Sequence, residues 1–373
     1  VSKLLKRRIE AIVFLVIFLS FFGFLSYQMG VKNFLSTLMN TAHDLLLNTV
    51  FYLLSIMVLA SALGDLMIEF GVVRLFEKLL APLMRPVYNL PGVASLVGLM
   101  TFFSDNPAII SFAKDEHYNS YFKKYELLSL TNFGTSFGMG LIVITFMIGQ
   151  NFFSAAMVGF AGAVIGSIIS TRLMQWFVKG KIEETEPDIS KADEDLISLK
   201  HDKTLFLRFI DSILDGGKKG VELGLAIIPG VLIISTIVMI ITYGPKDASV
   251  GYQGLAYEGV PLLPGIADKF SFIFRFLFGF ESGEAVAFPI TSLGSVGAAL
   301  SLIPSFLERG IIAGNEIAVF TAIGMCWSGY LSTHTAMLDS LNYRQFTSKA
   351  LIAHTIGGIF SGIFAHYIYY FVS

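Results

Sequence analysis

One cysteine, two tryptophans and a charged fraction of 14% leave this 373-residue chain short of the groups on which most soluble chemistry depends. The single cysteine, Cys326, excludes an internal disulfide framework and any cysteine-ligated metal cluster. No phosphate loop, dinucleotide-binding glycine pattern, nucleophile elbow or zinc-ligand spacing occurs, so the chain is read as a non-enzyme without an energy-supplying nucleotide site. Net charge is −2 with both signs represented, which argues against a nucleic-acid partner. Ordinary soluble domains are about a quarter charged. What fills the gap is hydrocarbon: 54% of residues are hydrophobic, 35 of them Phe, and mean hydropathy is +0.70. The chain is therefore read as an all-α polytopic membrane protein.

At the start, Lys3, Lys6, Arg7 and Arg8 precede the apolar run 11–27. That run is longer than a signal-peptide core and lacks a small-residue cleavage site, so it is read as a retained transmembrane helix whose start is cytoplasmic. Five further stretches have the roughly 20 apolar residues a span needs: 45–67, 126–148, 153–177, 220–243 and 350–372. A sixth, 315–337, is apolar but carries polar residues. Regions 91–113 and 271–303 are apolar with interrupted middles. Treated as re-entrant hairpins, they leave most basic residues on one side, including Arg74, Lys78, Arg85, Arg344, Lys349 and the charged linker, with the C-terminus on the other. The expected organisation is an N-terminal helix and connector over 1–43, a first repeat over 44–177, a cytoplasmic linker over 178–204 and a second repeat over 205–373. Multi-pass insertion in a bacterial-type plasma membrane follows.

The two halves echo each other. "ELLSLTNFG" (126–134) and "EIAVFTAIG" (316–324) share Glu, then Thr, then Gly at the same spacing; "FSDNPA" (103–108) is paired with "FESGEA" (280–285). On the expected topology the repeats are inverted, the architecture of secondary transporters with broken helices and a midplane site. Polar side chains at bilayer depth are costly, and irregular backbone there is tolerated only when buried or lining a cavity. Ser104, Asp105 and Asn106, followed by the helix-breaking Pro107, are accordingly read as one hairpin tip, and Glu281, Ser282 and Glu284 as the other. The two are expected to face each other around a small solute. Asn315 and Glu316, with Asn132, Thr135 and Ser328, complete the candidate solute-binding set. Asp105, Glu126, Thr131 and Glu316 are candidate ligands for a coupling cation. His334 is read first as hydrogen-bonded structure, and Cys326 as a buried small residue.

At these residues the chain resembles the nucleoside-recognition Gate-domain superfamily. Its members include YjiH-like proteins, concentrative nucleoside transporters, the membrane part of the ferrous-iron transporter B family and spore-maturation membrane proteins. Asn315-Glu316 fits the Asn-Glu that follows a hairpin in the nucleoside transporters; neither tip carries their Gln-Thr pair. The resemblance, over roughly 44–176 and 205–372, implies two hairpins, two discontinuous helices, and alternating access coupled to Na⁺ or H⁺. It leaves as alternatives an inorganic cation pathway and a non-transporting membrane scaffold. The expected partners are a small polar solute, the bilayer and further copies of the chain; apart from Na⁺ as coupling ion, no cofactor is expected.

Overall fold

The computed structural model describes residues 2–114, 116–182 and 203–373. Most of the acidic linker, 183–202, lies outside the described residues, and with it the reading of that run as solvated surface. Among the described residues helix is the only regular secondary structure. Six segments are long and apolar enough to cross a bilayer: Leu5–Met29, Val31–Glu69, Lys124–Gly149, Phe153–Val178, Leu205–Thr242 and Arg344–Val372. These coincide with the six uninterrupted runs read from hydropathy.

The elements run as follows. Helix α1 (Ser2–Met29) turns at Gly30, whose φ of 80° suits glycine, into α2 (Val31–Asp44). A π-helical stretch, Leu45–Val50, joins α2 to α3 (Phe51–Glu69). Next comes α4 (Val72–Leu83), with Leu75, Phe76, Leu79 and Leu83 exposed and Arg74 and Lys78 interleaved, as in a helix lying along a membrane interface. The first hairpin is α5 (Ala94–Phe103) and α6 (Pro107–Lys114), followed by the short α7 (Glu116–Asn119). Then come α8 (Lys124–Thr135), α9 (Gly140–Gly149) and the long α10 (Phe153–Val178). The second half holds α11 (Leu205–Pro229), a π-helical stretch, α12 (Thr236–Thr242), α13 (Leu262–Ala267) and α14 (Ser271–Phe278). It ends with α15 (Ala287–Ser292), α16 (Val296–Leu300), α17 (Ile303–Glu308), α18 (Gly314–Cys326), α19 (Tyr330–Ser340) and α20 (Thr347–Val372).

Small residues set the helix contacts, because between lipid-soluble helices close backbone approach replaces the hydrophobic effect as the source of packing energy. Gly216, Gly220 and Gly224 of α11 back onto Ser61, Met57 and Leu54 of α3 in reverse order, so the two helices are antiparallel. Likewise Gly162 of α10 meets Ser361 and Ala365 of α20, whereas Gly166 meets Gly357. Against α18 the order is direct: Gly159 packs on Ala318 and Thr321, Gly162 on Ala322, Gly166 on Cys326. Helix α8 opposes α10, since Asn132 bonds Ser170 and Ser129 bonds Gln175. Thus α8 and α18 run in opposite directions, as do α10 and α20. The repeats are inverted.

The repeats also correspond position by position. One constant separation in sequence relates Asn89 to Gly279, both left-handed residues closing an amphipathic helix, and Glu126 to Glu316, both in a helix-entry capping box. The same separation relates Met139 to Gly329, both left-handed and both opening the second half of a broken helix. Applied to Ser104 and Asp105 it lands on Gly294 and Ser295, and there the chain turns between α15 and α16. The expected pairing of 103–108 with 280–285 is therefore wrong. Residues 281–284 lie where the second hairpin leaves α14, and its apex is Leu293–Ser295.

Candidate functional site

The span made by α8 and α9 breaks at 136–139, halfway along Lys124–Gly149. Met139 takes a left-handed φ of 55°, and Gly138 beside it has no side chain. The corresponding span, α18 and α19, breaks at Trp327–Gly329. Each break interrupts the i→i−4 ladder with tighter bonds, such as Gly138 N–H to the Thr135 carbonyl and Tyr330 N–H to the Trp327 carbonyl, and irregular backbone of this kind at membrane depth is tolerated only where it is buried or lines a cavity.

Into these two breaks goes the apex of the first hairpin. Asn106, 4% exposed, donates from Nδ2 to Ser328 Oγ at 3.1 Å. A Cβ on Gly138 would fall 2.2 Å from its Oδ1, and one on Gly329 2.6 Å from its Nδ2. The carboxamide is thus seated between the two discontinuous helices, in space only glycine provides. Its Oδ1 is buried with no hydrogen-bond partner, and buried carbonyl-type oxygens are rarely left so. Beside it Asp105 Oδ1 accepts from the Asn106 amide at 2.7 Å, and Pro107 opens α6, where a missing N–H costs nothing. The apex backbone leans on α3, the Phe103 carbonyl lying against Gly64.

The other candidates lie elsewhere. Glu281, Ser282 and Glu284 do not face Asn106. The Phe278 carbonyl just before them bonds Asn315 at the start of α18, whereas Ser328 lies just past the other end of that helix. Ser282 bonds Glu284, Gly283 abuts Asp268, and Glu281 is exposed. Asn315 is engaged: Nδ2 donates to the Phe278 carbonyl at 2.9 Å and Oδ1 accepts from His366 Nδ1 at 2.7 Å. Glu126 and Glu316 accept the backbone N–H of Lys123 and Ala313, each at 3.0 Å, and Glu126 also accepts from Arg85 at 2.5 Å. Both carboxylates therefore complete helix entrances. Neither joins Asp105, so the expected cation set does not converge. Asn132 faces outward from the break, bonding Ser170 Oγ (3.0 Å) and the Ala350 carbonyl (2.9 Å). Thr135 bonds its own helix at the Thr131 carbonyl, and Thr131 Oγ1 is buried without a partner. Among the described residues no group of three His, Cys, Asp or Glu side chains is placed to hold a metal ion.

The sequence reading missed three features. The first is where the two discontinuous helices, implied by the resemblance, actually break, positions marked in the sequence only by glycines. The second is His354, fully buried, whose ring lies 4.5 Å from that of His334 and joins Ser170 to the Cys326 carbonyl at the second break. The third is a pair of polar cavities. One, about 620 Å³, runs from Ser104 to the ion pairs Asp65–Lys219 and Glu69–Arg208, each 2.7 Å. The other, about 790 Å³, opens on the opposite side between Asp44, Asn48, Gln150, Tyr257, Ser305 and Glu308. In the loop bounding it, burial and the Asp44 carboxylate hold the Tyr257 hydroxyl well above its ordinary pKa.

With two broken helices crossing at a hairpin apex, comparison with known proteins becomes informative. Residues 50–151 match the Gate family, described as nucleoside recognition. This Gate segment runs from the start of α3 to the end of α9 and so contains the first hairpin and the first break. A 73-residue stretch is 38% identical to the sporulation integral membrane protein YlbJ of Bacillus subtilis (strain 168), covering 19% of this chain and 18% of that protein. Over its whole length the chain has the fold of CNTnw, a concentrative nucleoside transporter, solved as a variant in an outward-facing state. The TM-score is 0.57 at 12% identity, with 100% of this chain and 86% of that one covered. A second outward-facing CNTnw variant gives 0.50 at 13% identity, covering 98% and 86%. The chain is a multi-pass integral membrane protein that shares the fold of these solved structures.

Proposed function

We propose that the chain is an ion-coupled secondary transporter of a small polar solute, nucleoside-like in class, working by alternating access rather than by enzymatic chemistry. The observation that supports this most directly is the seat of Asn106. A carboxamide oxygen left unpaired between two helix breaks has capacity for a donor, and an N–H or O–H of a neutral solute supplies one. Polar cavities on opposite sides give two approaches, with Ser104 on the wall of one. Na⁺ or H⁺ is the coupling ion in this reading, and the basic face, with the N-terminus, lies in the cytoplasm of a bacterial-type cell. Repeats over 44–177 and 205–373 form the transporting unit.

The test is uptake into proteoliposomes of nucleosides, bases, amino acids and organic acids, each under a Na⁺ gradient, a proton gradient or none. Expected is gradient-dependent uptake of one class, lowered at least tenfold by Asn106→Ala and also reduced by Ser328→Ala. Flux of no class under any gradient would remove the proposal and leave a membrane partner without turnover. Flux of divalent cations alone would replace it with a cation pathway.

A further inference from the structure

A third cavity, about 640 Å³, lies away from both polar approaches, between α4, α5, α8 and α10. Its walls are hydrocarbon: Leu80, Leu99, Phe102, Phe137, Phe160 and Val164 are representative. Two polar groups reach the lining, and both are already satisfied. Tyr88 shares a 2.7 Å hydrogen bond with Ser167, and Ser95 donates to the Gly92 carbonyl at 2.8 Å. Nothing in the wall is left to hold water, and apolar cavities of this kind stay dry or take up apolar guests. The volume is about twenty times the ~30 Å³ share of one liquid water, far beyond a packing flaw. A polar solute would lose its hydrogen bonds here without replacement.

We infer that this cavity holds an acyl chain of an anionic phospholipid. Phe76 and Leu83 line the cavity and are also exposed, so its mouth opens on the apolar face of α4, the surface the bilayer covers. Lys78 lies exposed on the same helix, within the basic face of the molecule, and attracts an anionic headgroup, whereas Arg85 on its continuation is held by Glu126. The inner wall is the first arm of the hairpin, ending at Phe102 and Phe103, immediately before Ser104. A chain seated here props α5 against α8 and α10 and so supports the apex that carries Asn106. The site is separate from the solute site and does not depend on the transport reading.

The test uses the full chain in vesicles of phosphatidylcholine doped with a phosphatidylglycerol bearing a mid-chain diazirine. After photolysis, labelled peptides are mapped by mass spectrometry. Expected is labelling of Leu99, Phe102 and Phe137 above that of the exposed Leu59 and Phe153, and a drop of fivefold or more at those three in Val164→Trp, which fills the cavity. Labelling no greater there than at Leu59, or unchanged by the tryptophan, overturns the proposal. Should Val164→Trp fail to elute as a folded species, Leu80→Trp fills the same space from α4 and carries the same expectation. Equal cavity labelling from a diazirine phosphatidylcholine would overturn the headgroup preference assigned to Lys78.

Discussion

Replacing Gly138 by alanine is the sharpest perturbation of the apex. The added Cβ would fall 2.2 Å from Asn106 Oδ1 and 2.4 Å from Nδ2, where real Cβ contacts stay beyond about 3.0 Å. Asn106 is a short side chain, so relief comes by swinging its carboxamide out by roughly 1 Å, and the 3.1 Å bond to Ser328 cannot survive that. A lost hydrogen bond that leaves a buried group unpaired costs about 1–3 kcal/mol. At 1.4 kcal/mol per decade this is a roughly 5–150-fold change in an equilibrium. The cost falls on the site, since the three atoms nearest the new Cβ all belong to Asn106. Gly159→Ala is the contrast: its Cβ meets the Ala318 carbonyl at 2.5 Å, a backbone atom that cannot step aside without parting α10 from α18. Gly138→Ala should therefore lower solute uptake or solute-induced thermal stabilisation by roughly fivefold or more, with only a small fall in the apo melting temperature. Gly159→Ala should lower the melting temperature more. Both are read by fluorescence-detected thermal unfolding in detergent, with and without the solute identified by uptake. Unchanged uptake in Gly138→Ala would refute the placement of the carboxamide between the breaks.

Glu258 is fully buried, and its Oε2 accepts the N–H groups of Gln253 (3.0 Å), Gly254 (2.8 Å) and Leu255 (3.1 Å). Glu258→Gln weakens these charge-assisted bonds by about 1.5–3 kcal/mol in all, and limited proteolysis within 244–257 should accelerate. Gly166→Val should part α10 from α20, because even a Cβ there lies 2.6 Å from the Gly357 carbonyl; overpacking of this kind costs about 1–3 kcal/mol and lowers the melting temperature. The two buried histidines should show opposite neutral tautomers. The Cys326 carbonyl requires a proton on His354 Nε2, and the Tyr330 carbonyl, 2.6 Å away, requires one on His334 Nδ1. Ring-nitrogen NMR of ¹⁵N-histidine-labelled protein, assigned with His334→Gln, reads this directly, and a matching pair of tautomers would contradict the network.

The bilayer explains what was legible. Runs such as 153–177 and 350–372 announce themselves because each must satisfy its backbone internally across about 30 Å of hydrocarbon. The first apex was legible for the same reason: Ser104-Asp105-Asn106-Pro107 has no business in an apolar run unless buried in protein. The second was misplaced because Glu281-Ser282-Gly283-Glu284 is more polar than the true apex. That stretch marks the interfacial end of α14, where left-handed Gly279 stops the helix, and polarity at an interface is inexpensive. Leu293-Gly294-Ser295 turns with one glycine and one hydroxyl and leaves almost no hydropathy trace. The break between α8 and α9 was hidden likewise, since Met139 is as apolar as its neighbours. His354 gave no local signal because its partners, Ser170 and Cys326, come from other helices.

The gapless correspondence of the repeats makes their chemical differences meaningful. Where the first half has Asn106, the second has Val296, packed against Gly324. Where the first apex leaves a carboxamide oxygen unpaired, Ser295 is spent on capping α16 by accepting from the Ala298 N–H at 3.2 Å. Where the first break has Gly138, making room for Asn106, the second has Ser328, which bonds it. The scaffold is two-fold but the polar equipment is not. Hairpin one brings the carboxamide, break one clears the space, and break two receives the hydrogen bond. An inverted repeat alone would place equivalent groups on both sides of the midplane. Both breaks are shaped around Asn106, and its counterpart Val296 is apolar, so under the proposed transport function recognition of a polar solute falls to the Asn106 side.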